Sequence, residues 1–285
     1  MRSAVPFSAR HRIAKARLRL RVPTGALRAM PRGLIIGTQR GGTSSLYRYL
    51  SDHPGVASPL RKEVEYFSRN YGRRQRWYRA HFTFAPSRRF SFEATPDYLL
   101  HPLVPSRVAA GLPEVRCVVL LRDPVERAYS HFRHMTRLGY ETEDFEDALA
   151  AEDGRIQPDL ERLAEDPLYD PKELLRYSYV ARGRYAEHLS RWFEVLPRDR
   201  FLIIRSEDFY ADTPRWFGEI TQFFGLADWQ PASFSNVSIP ASRAKGIAPA
   251  RQSSIADVTR KELTELFSDP NQALADLLGD EGPWW

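Results

Sequence analysis

Hydrophobic residues along the chain gather into short runs separated by stretches of helical period. "GLIIGT" (33–38), "VRCVVLLRDP" (115–124) and "RFLIIRSEDF" (200–209) are continuous apolar segments of strand length, the pattern of strands covered on both faces. Between them, "TSSLYRYLSD" (43–52), "VERAYSHFRHMTRL" after Pro124 and "YAEHLSRWFEVL" (185–196) repeat apolar residues three and four apart and predict amphipathic helices. Strands alternating with helices predict an α/β fold of three layers, a central mostly parallel sheet flanked by helices on both faces. Ligands of such sheets bind at the carboxyl ends of the strands. Three of the most polar stretches, "TQRGGTSS", "RDPVER" and "RSED", follow directly on those ends. The longest apolar runs, "CVVLL" and "FLII", are too short to cross a bilayer, and the N-terminal residues lack the apolar centre of a signal peptide.

Composition sharpens this picture in two places. The one cysteine, Cys117, lies inside "VRCVVLL", so an internal disulfide is impossible and a buried, inert thiol in a reducing compartment is expected; the expected location is the cytoplasm. The formal charge of +6 is unevenly spread, because residues 1–32 hold nine Arg or Lys and no Asp or Glu, leaving 33 bases and 36 acids in the rest. The expected organisation is therefore a flexible basic tail over residues 1–32 and a single domain over 33–285. The tail leaves open a weak contact with an anionic membrane surface; no nucleic-acid partner is expected, and the oligomeric state is not legible.

The chemistry concentrates in the first loop. Gly37 and Gly42 are spaced as in a Walker loop, and Gly41 with Gly42 lets successive N–H groups turn toward an anion at the start of the next helix. The fold is on this ground P-loop-like. A Walker loop follows its second glycine with a lysine for the β and γ phosphates and a hydroxyl for Mg²⁺, whereas this chain has Thr43 and Ser44 there and carries its cation at Arg40. A fixed guanidinium suits a nucleotide with a 5′ phosphate bearing a second anionic group. The plain alternative is a glycine turn with a surface arginine. In the second motif, "LLRDPVERAYSHF", Asp123 can cap a helix and Pro124 fits its first turn. Ser130 stands about two turns beyond Arg122, so the two can grip one anion only if the arginine folds back over the helix start. Arg127 shares the face of Ser130.

Together "TQRGGTSSL" and "LLRDPVERAYSHF" resemble the 5′-phosphosulfate loop and the 3′-phosphate motif of sulfotransferases that use 3′-phosphoadenosine 5′-phosphosulfate (PAPS). The likeness continues through "GRYAEHLSRWFEVLPRDRFLIIRSEDF" and "SRAKG", covers most of residues 33–285, and is closest to the heparan-sulfate-type carbohydrate branch through Lys62-Glu63 in "KEVEYF". The resemblance implies that Arg40, Gly41, Gly42, Thr43 and Ser44 hold the 5′ end of PAPS, and Arg122 and Ser130 its 3′ phosphate. It implies Glu63 as catalytic base with Lys62 and Arg40 as cations beside the donor. Lys245 and Gly246 match a Lys-Gly-Arg turn over the nucleotide, in which Ile247 replaces the arginine.

The implied reaction is sulfuryl transfer from PAPS, leaving 3′-phosphoadenosine 5′-phosphate (PAP), to a hydroxyl of a carbohydrate, a glycosylated metabolite or another small-molecule acceptor. A carboxylate within hydrogen-bond reach takes the proton, and Glu65 is the rival to Glu63. No metal cluster is expected, since the seven histidines are scattered. Two other readings stay open: a P-loop nucleotide kinase, and a protein that binds nucleic acid or anionic membrane through its basic tail. The arginines and aromatics of "SRNYGRRQRWYRAHF" (68–82) suit a sugar or an anionic glycan, and also single-stranded nucleic acid, or alternatively a solvated helix with its aromatics turned to the core. "ETEDFEDALAAED" (141–153) predicts an exposed acidic helix.

Overall fold

The computed structural model describes residues 7–235, 254–281 and 284–285. Five strands form one sheet, β1 (Gly33–Gly37), β2 (Val56–Ala57), β3 (Phe90–Ala94), β4 (Arg116–Leu121) and β5 (Phe201–Arg205), in the order β2-β3-β1-β4-β5. Every pairing is parallel. In chain order the helices are α1 (Phe7–Arg21), α2 (Thr43–Asp52), α3 (Gln75–Arg79), α4 (Val104–Gly111), α5 (Pro124–Leu138) and α6 (Phe145–Ala150). They continue with α7 (Glu152–Glu165), α8 (Lys172–Tyr177), α9 (Tyr185–Phe193), α10 (Ser206–Ala211), α11 (Thr213–Phe223) and α12 (Asp257–Leu278).

Side chains alternate across a strand, so each strand feeds two cores. Leu34 and Ile36 of β1, with Cys117, Val119 and Leu121 of β4, pack against Val104 and Val108 of α4 and Leu189 and Trp192 of α9. Ile35, Val118 and Leu120 face the other way, onto Leu46 and Leu50 of α2, Phe209 of α10 and Phe217 of α11. The expected three layers are present. Burial pushes the Cys117 thiol well above its ordinary range, so the buried, inert thiol is what the fold provides.

The strand expected over 200–209 ends at Arg205, where Ser206 begins α10. Strand β3, "FSFEA", was not anticipated because Glu93 interrupts its apolar run. That carboxyl is fully buried and accepts hydrogen bonds from Tyr78, Thr95 and Tyr98, with Thr95 at 2.9 Å and Tyr98 at 2.6 Å, which offsets the cost of its desolvation. The aromatics of 68–82 turn inward: Tyr78 and Phe82 are fully buried and Tyr71 and Trp77 pack against the same core. The acidic stretch is not the exposed helix its composition predicts. It forms α6 and the start of α7, burying Phe145 and Ala148, and two of its acids are buried. Glu141 accepts from Tyr179 and Arg155, and Glu152 from the Val180 and Ala181 N–H groups.

Within residues 1–32, α1 runs to Arg21, and the residues after it lie against the domain. Leu27 O accepts from Ala85 N–H at 2.9 Å, Ala29 N–H donates to Thr83 O at 2.9 Å, and Arg28 donates to Phe82 O at 3.0 Å. No helix of the described residues is long and apolar enough to cross a membrane.

Candidate active site

Sheet order places the site. The chain leaves the central strand β1 for β2 and β3 on one side and returns to β4 on the other, so the crevice between the carboxyl ends of β1 and β4 is the switch point where open α/β sheets take ligands. The loop after β1 is pinned to β4 by Thr38 N–H, which donates to Leu120 O at 2.7 Å. Gly41 lies so close that a Cβ there would stand 2.5 Å from Leu120 O. Gly42, at φ 101, is the N-cap of α2, a backbone state costly for any residue with a Cβ. Ser206 of α10 donates to Gly41 O at 2.7 Å, and Tyr210 donates to Ser45 at 3.3 Å. A rigid turn is thereby set at the start of α2, where unpaired N–H groups favour an anion. Thr43 is buried and Ser44 is exposed.

Arg40 projects from this turn at φ 73. Its Nε donates to Ser130 Oγ at 2.9 Å, joining the first motif to the second. Burial, and then repulsion by Arg137, Arg122 and Arg133, push its guanidinium down to about 10; it remains a cation at neutral pH. Arg122 does not fold back to Ser130. Its NH1 donates to Arg40 O at 3.4 Å and its NH2 lies 3.7 Å from Glu126, so Arg40 links the two predicted partners. Asp123 caps α5 by accepting from Val125 and Glu126 N–H, as its position predicted. Tyr185 donates to Arg122 O at 2.7 Å and Glu207 accepts from Asp123 N–H at 3.0 Å, fixing the strand end. Arg127 faces away from solvent, fully buried and donating to Tyr179 O.

Lys62 carries the loop to the carboxylates, with Nζ donating to Ser44 Oγ at 3.2 Å and to Glu63 Oε1 at 2.9 Å. Glu63 is 36% exposed at its side chain and is tied to the cradle through Lys62. Glu65 adopts φ 58 and turns to Arg61 at 3.2 Å and Arg69 at 3.5 Å. Burial outweighs Arg69 and pushes its carboxyl up to about 7. The two acids thus face different partners. Lys245 and Gly246 lie outside the described residues. Three contributors were not assigned from sequence: Ser206 and Tyr210, which follow a strand end flagged only as polar, and Arg137.

This is a cradle of backbone N–H groups edged by Arg40, Arg122 and Lys62, with the Glu63 carboxylate held beside it by Lys62. A family model described as "Sulfotransferase domain" matches residues 31–239. The chain is 31% identical over 221 residues to human (Homo sapiens) heparan sulfate glucosamine 3-O-sulfotransferase 6, covering 78% of this chain and 59% of that protein. It is 32% identical over 208 residues to human bifunctional heparan sulfate N-deacetylase/N-sulfotransferase 3, covering 69% of this chain and 22% of that protein. It therefore spans less than two thirds of these relatives. A solved sulfotransferase from Alicyclobacillus acidocaldarius superposes with a TM-score of 0.68 at 27% identity, covering 89% of this chain and 97% of that one. With a family match over most of its length and a near full-length structural counterpart, the chain belongs to the sulfotransferase domain family.

Proposed function

We propose that this chain transfers the sulfuryl group of PAPS to a hydroxyl of a carbohydrate or glycosylated metabolite, with PAP as the other product. The observation that carries the reading is the junction of the two anion motifs, Arg40 Nε on Ser130 Oγ, at the carboxyl ends of adjacent strands. The cradle fits the donor: N–H groups at the start of α2 favour a 5′ phosphosulfate, Gly41 holds the turn against Thr38 and β4, and a half-buried cluster of arginines requires an anion. When bound, PAPS supplies a sulfuryl group on a phosphate leaving group, and the acceptor oxygen replaces the phosphate oxygen at sulfur.

The chain's own residues divide the work. Gly41, Gly42, Thr43 and Ser44 orient the 5′ end, and Arg122 and Ser130 take the 3′ phosphate. Glu63 accepts the acceptor's hydroxyl proton. Lys62, already bonded to both Glu63 and Ser44, and Arg40 hold positive charge where negative charge grows on the leaving side. A carbohydrate acceptor is supported by the names of the relatives, one a glucosamine 3-O-sulfotransferase. The single buried cysteine supports a cytoplasmic location.

The test is thermal stabilisation. PAP without divalent metal, at one hundred times its dissociation constant, is expected to add roughly 2.7 kcal/mol. Stabilisation by ATP with Mg²⁺ and none by PAP would overturn the proposal.

A further inference from the structure

The cation cluster on α5 is larger than the two motifs explain. Ser130, Arg133 and Arg137 are spaced by three and four along α5 and share one face. Helical side chains lean toward the N terminus, so the Arg137 guanidinium covers the turn before its own Cα, toward Ser130. Arg40 reaches that face from the glycine loop through Ser130, and Arg122 touches the Arg40 carbonyl. Of the like charges that bear on Arg40, Arg137 weighs most, ahead of Arg122.

Little among the described residues neutralises this cluster. Glu126 lies 3.7 Å from Arg122 but is closer, at 2.7 Å, to Arg260. Among the described residues, Arg40, Arg133 and Arg137 have no carboxylate within 4.0 Å; Arg137 instead contacts His134 Nδ1 at 2.7 Å. Residues 236–253 carry Arg243, Lys245 and Arg251 and no acid, so compensation is not available from that stretch of sequence either. Like charges gathered in a partly buried crevice destabilise one another and raise the local potential for an anion of high charge density. A phosphate monoester takes the planar donor fork of arginine bidentately and brings up to about twice the charge of a carboxylate to answer several cations.

We propose that Arg137, with Arg133 outside it, is a further binding residue for the 3′ phosphate of the donor nucleotide, extending the Arg122 and Ser130 grip along α5. It sets how strongly the protein prefers a 3′-phosphorylated nucleotide over an unphosphorylated one. The proposal rests on the sulfotransferase reading and adds a residue that neither sequence motif contains.

The experiment is calorimetry on the full chain at fixed ionic strength, with PAP and with 5′-AMP as ligands, for the wild type, Arg137→Gln and Arg133→Gln. The expected result is a loss of roughly tenfold or more in PAP affinity for Arg137→Gln, with AMP affinity held within about twofold. Arg133, which is exposed, should cost about threefold. Arg137→Lys keeps the charge without the fork and should fall between wild type and Arg137→Gln, and thermal melts without ligand verify that each variant folds. Unchanged PAP affinity in Arg137→Gln overturns the proposal, as does an equal loss for both ligands, which would mean a general field effect. Unchanged PAP affinity with a raised KM for an anionic acceptor would move Arg137 to an acceptor subsite. A wild type that binds no PAP at all would instead bring down the sulfotransferase reading on which this one stands.

Discussion

At the scale of single residues, two carboxylates two positions apart have been given different work by the backbone. Glu63 bonds to Lys62 at 2.9 Å, and Lys62 reaches Ser44 of the cradle; Glu65, at φ 58, is turned to Arg61 and Arg69. Spacing alone says only that they point to different faces, and a left-handed residue cannot be foreseen at a glutamate; which one faces the cradle required the structure. Glu63→Gln should lower the sulfuryl-transfer rate by about 10²–10⁴-fold at saturating PAPS with PAP affinity little changed, while Glu65→Gln costs far less. The second variant carries its own signature. Burial lifts Glu65 from an ordinary 4.5 to about 7 in the folded chain. Its proton therefore binds the folded state more tightly, giving a stabilisation fully present below the unfolded value and lost as pH rises through 7. Glutamine imitates the protonated form, so Glu65→Gln should match the wild type below about pH 4 and exceed it at pH 8 by about 1–3 kcal/mol in urea unfolding. A variant that is less stable at pH 8, or inactive, shows that the charged Glu65 is the needed form.

At the scale of elements, legibility followed burial pattern. β1, β4 and β5 each hold an unbroken apolar run, residues 34–36, 117–121 and 201–204, and are visible in sequence, as are α2 and α5 by their helical period. β2 has two residues and β3 contains the buried Glu93, so neither shows the pattern of a covered strand. The acidic α6–α7 stretch was misleading for the opposite reason: Glu141 and Glu152 are buried, bonded to Arg155 and Tyr179 and to the N–H groups of Val180 and Ala181. The basic leader also divides. α1 carries no acid in its first turn, but from Leu27 to Arg32 the backbone hydrogen-bonds to Ala85, Thr83 and Ser91. We propose that the domain begins near residue 21. A chain starting at Arg21, which donates to Phe82 O, should melt as the full chain does. One starting at Gly33 loses these bonds and should melt lower by several degrees, at about 0.5–1.5 kcal/mol per bond and about 2–4 °C per kcal/mol. Equal melting of both truncated chains would return the boundary to residue 32.

At the scale of the whole molecule, the site exists because sheet, loop and helices are locked at one point. Gly41 is that point: its N–H donates to Thr38 O at 2.9 Å, its carbonyl accepts from Ser206, and the place a Cβ would occupy is 2.5 Å from Leu120 O of β4. The motif "RGG" suggested glycine for turning N–H groups outward; it did not disclose that one glycine is needed for contact with the neighbouring strand. Gly41→Ala cannot be absorbed by a side chain moving aside, because the obstacle is the backbone of the central sheet. The loop must lift, drawing Arg40 from Ser130 and tilting the start of α2. Overpacking of this kind typically costs about 1–3 kcal/mol, and it should appear with a loss of PAP affinity of tenfold or more. Ser206→Ala is the control, since it removes one bond to the same carbonyl, worth about 1 kcal/mol, and leaves the close approach intact. It should lower stability with PAP binding reduced only a few-fold. If Gly41→Ala binds PAP as the wild type does, contact between loop and strand does not shape the cradle, and the geometry of the anion site must come from α2 and α5 alone.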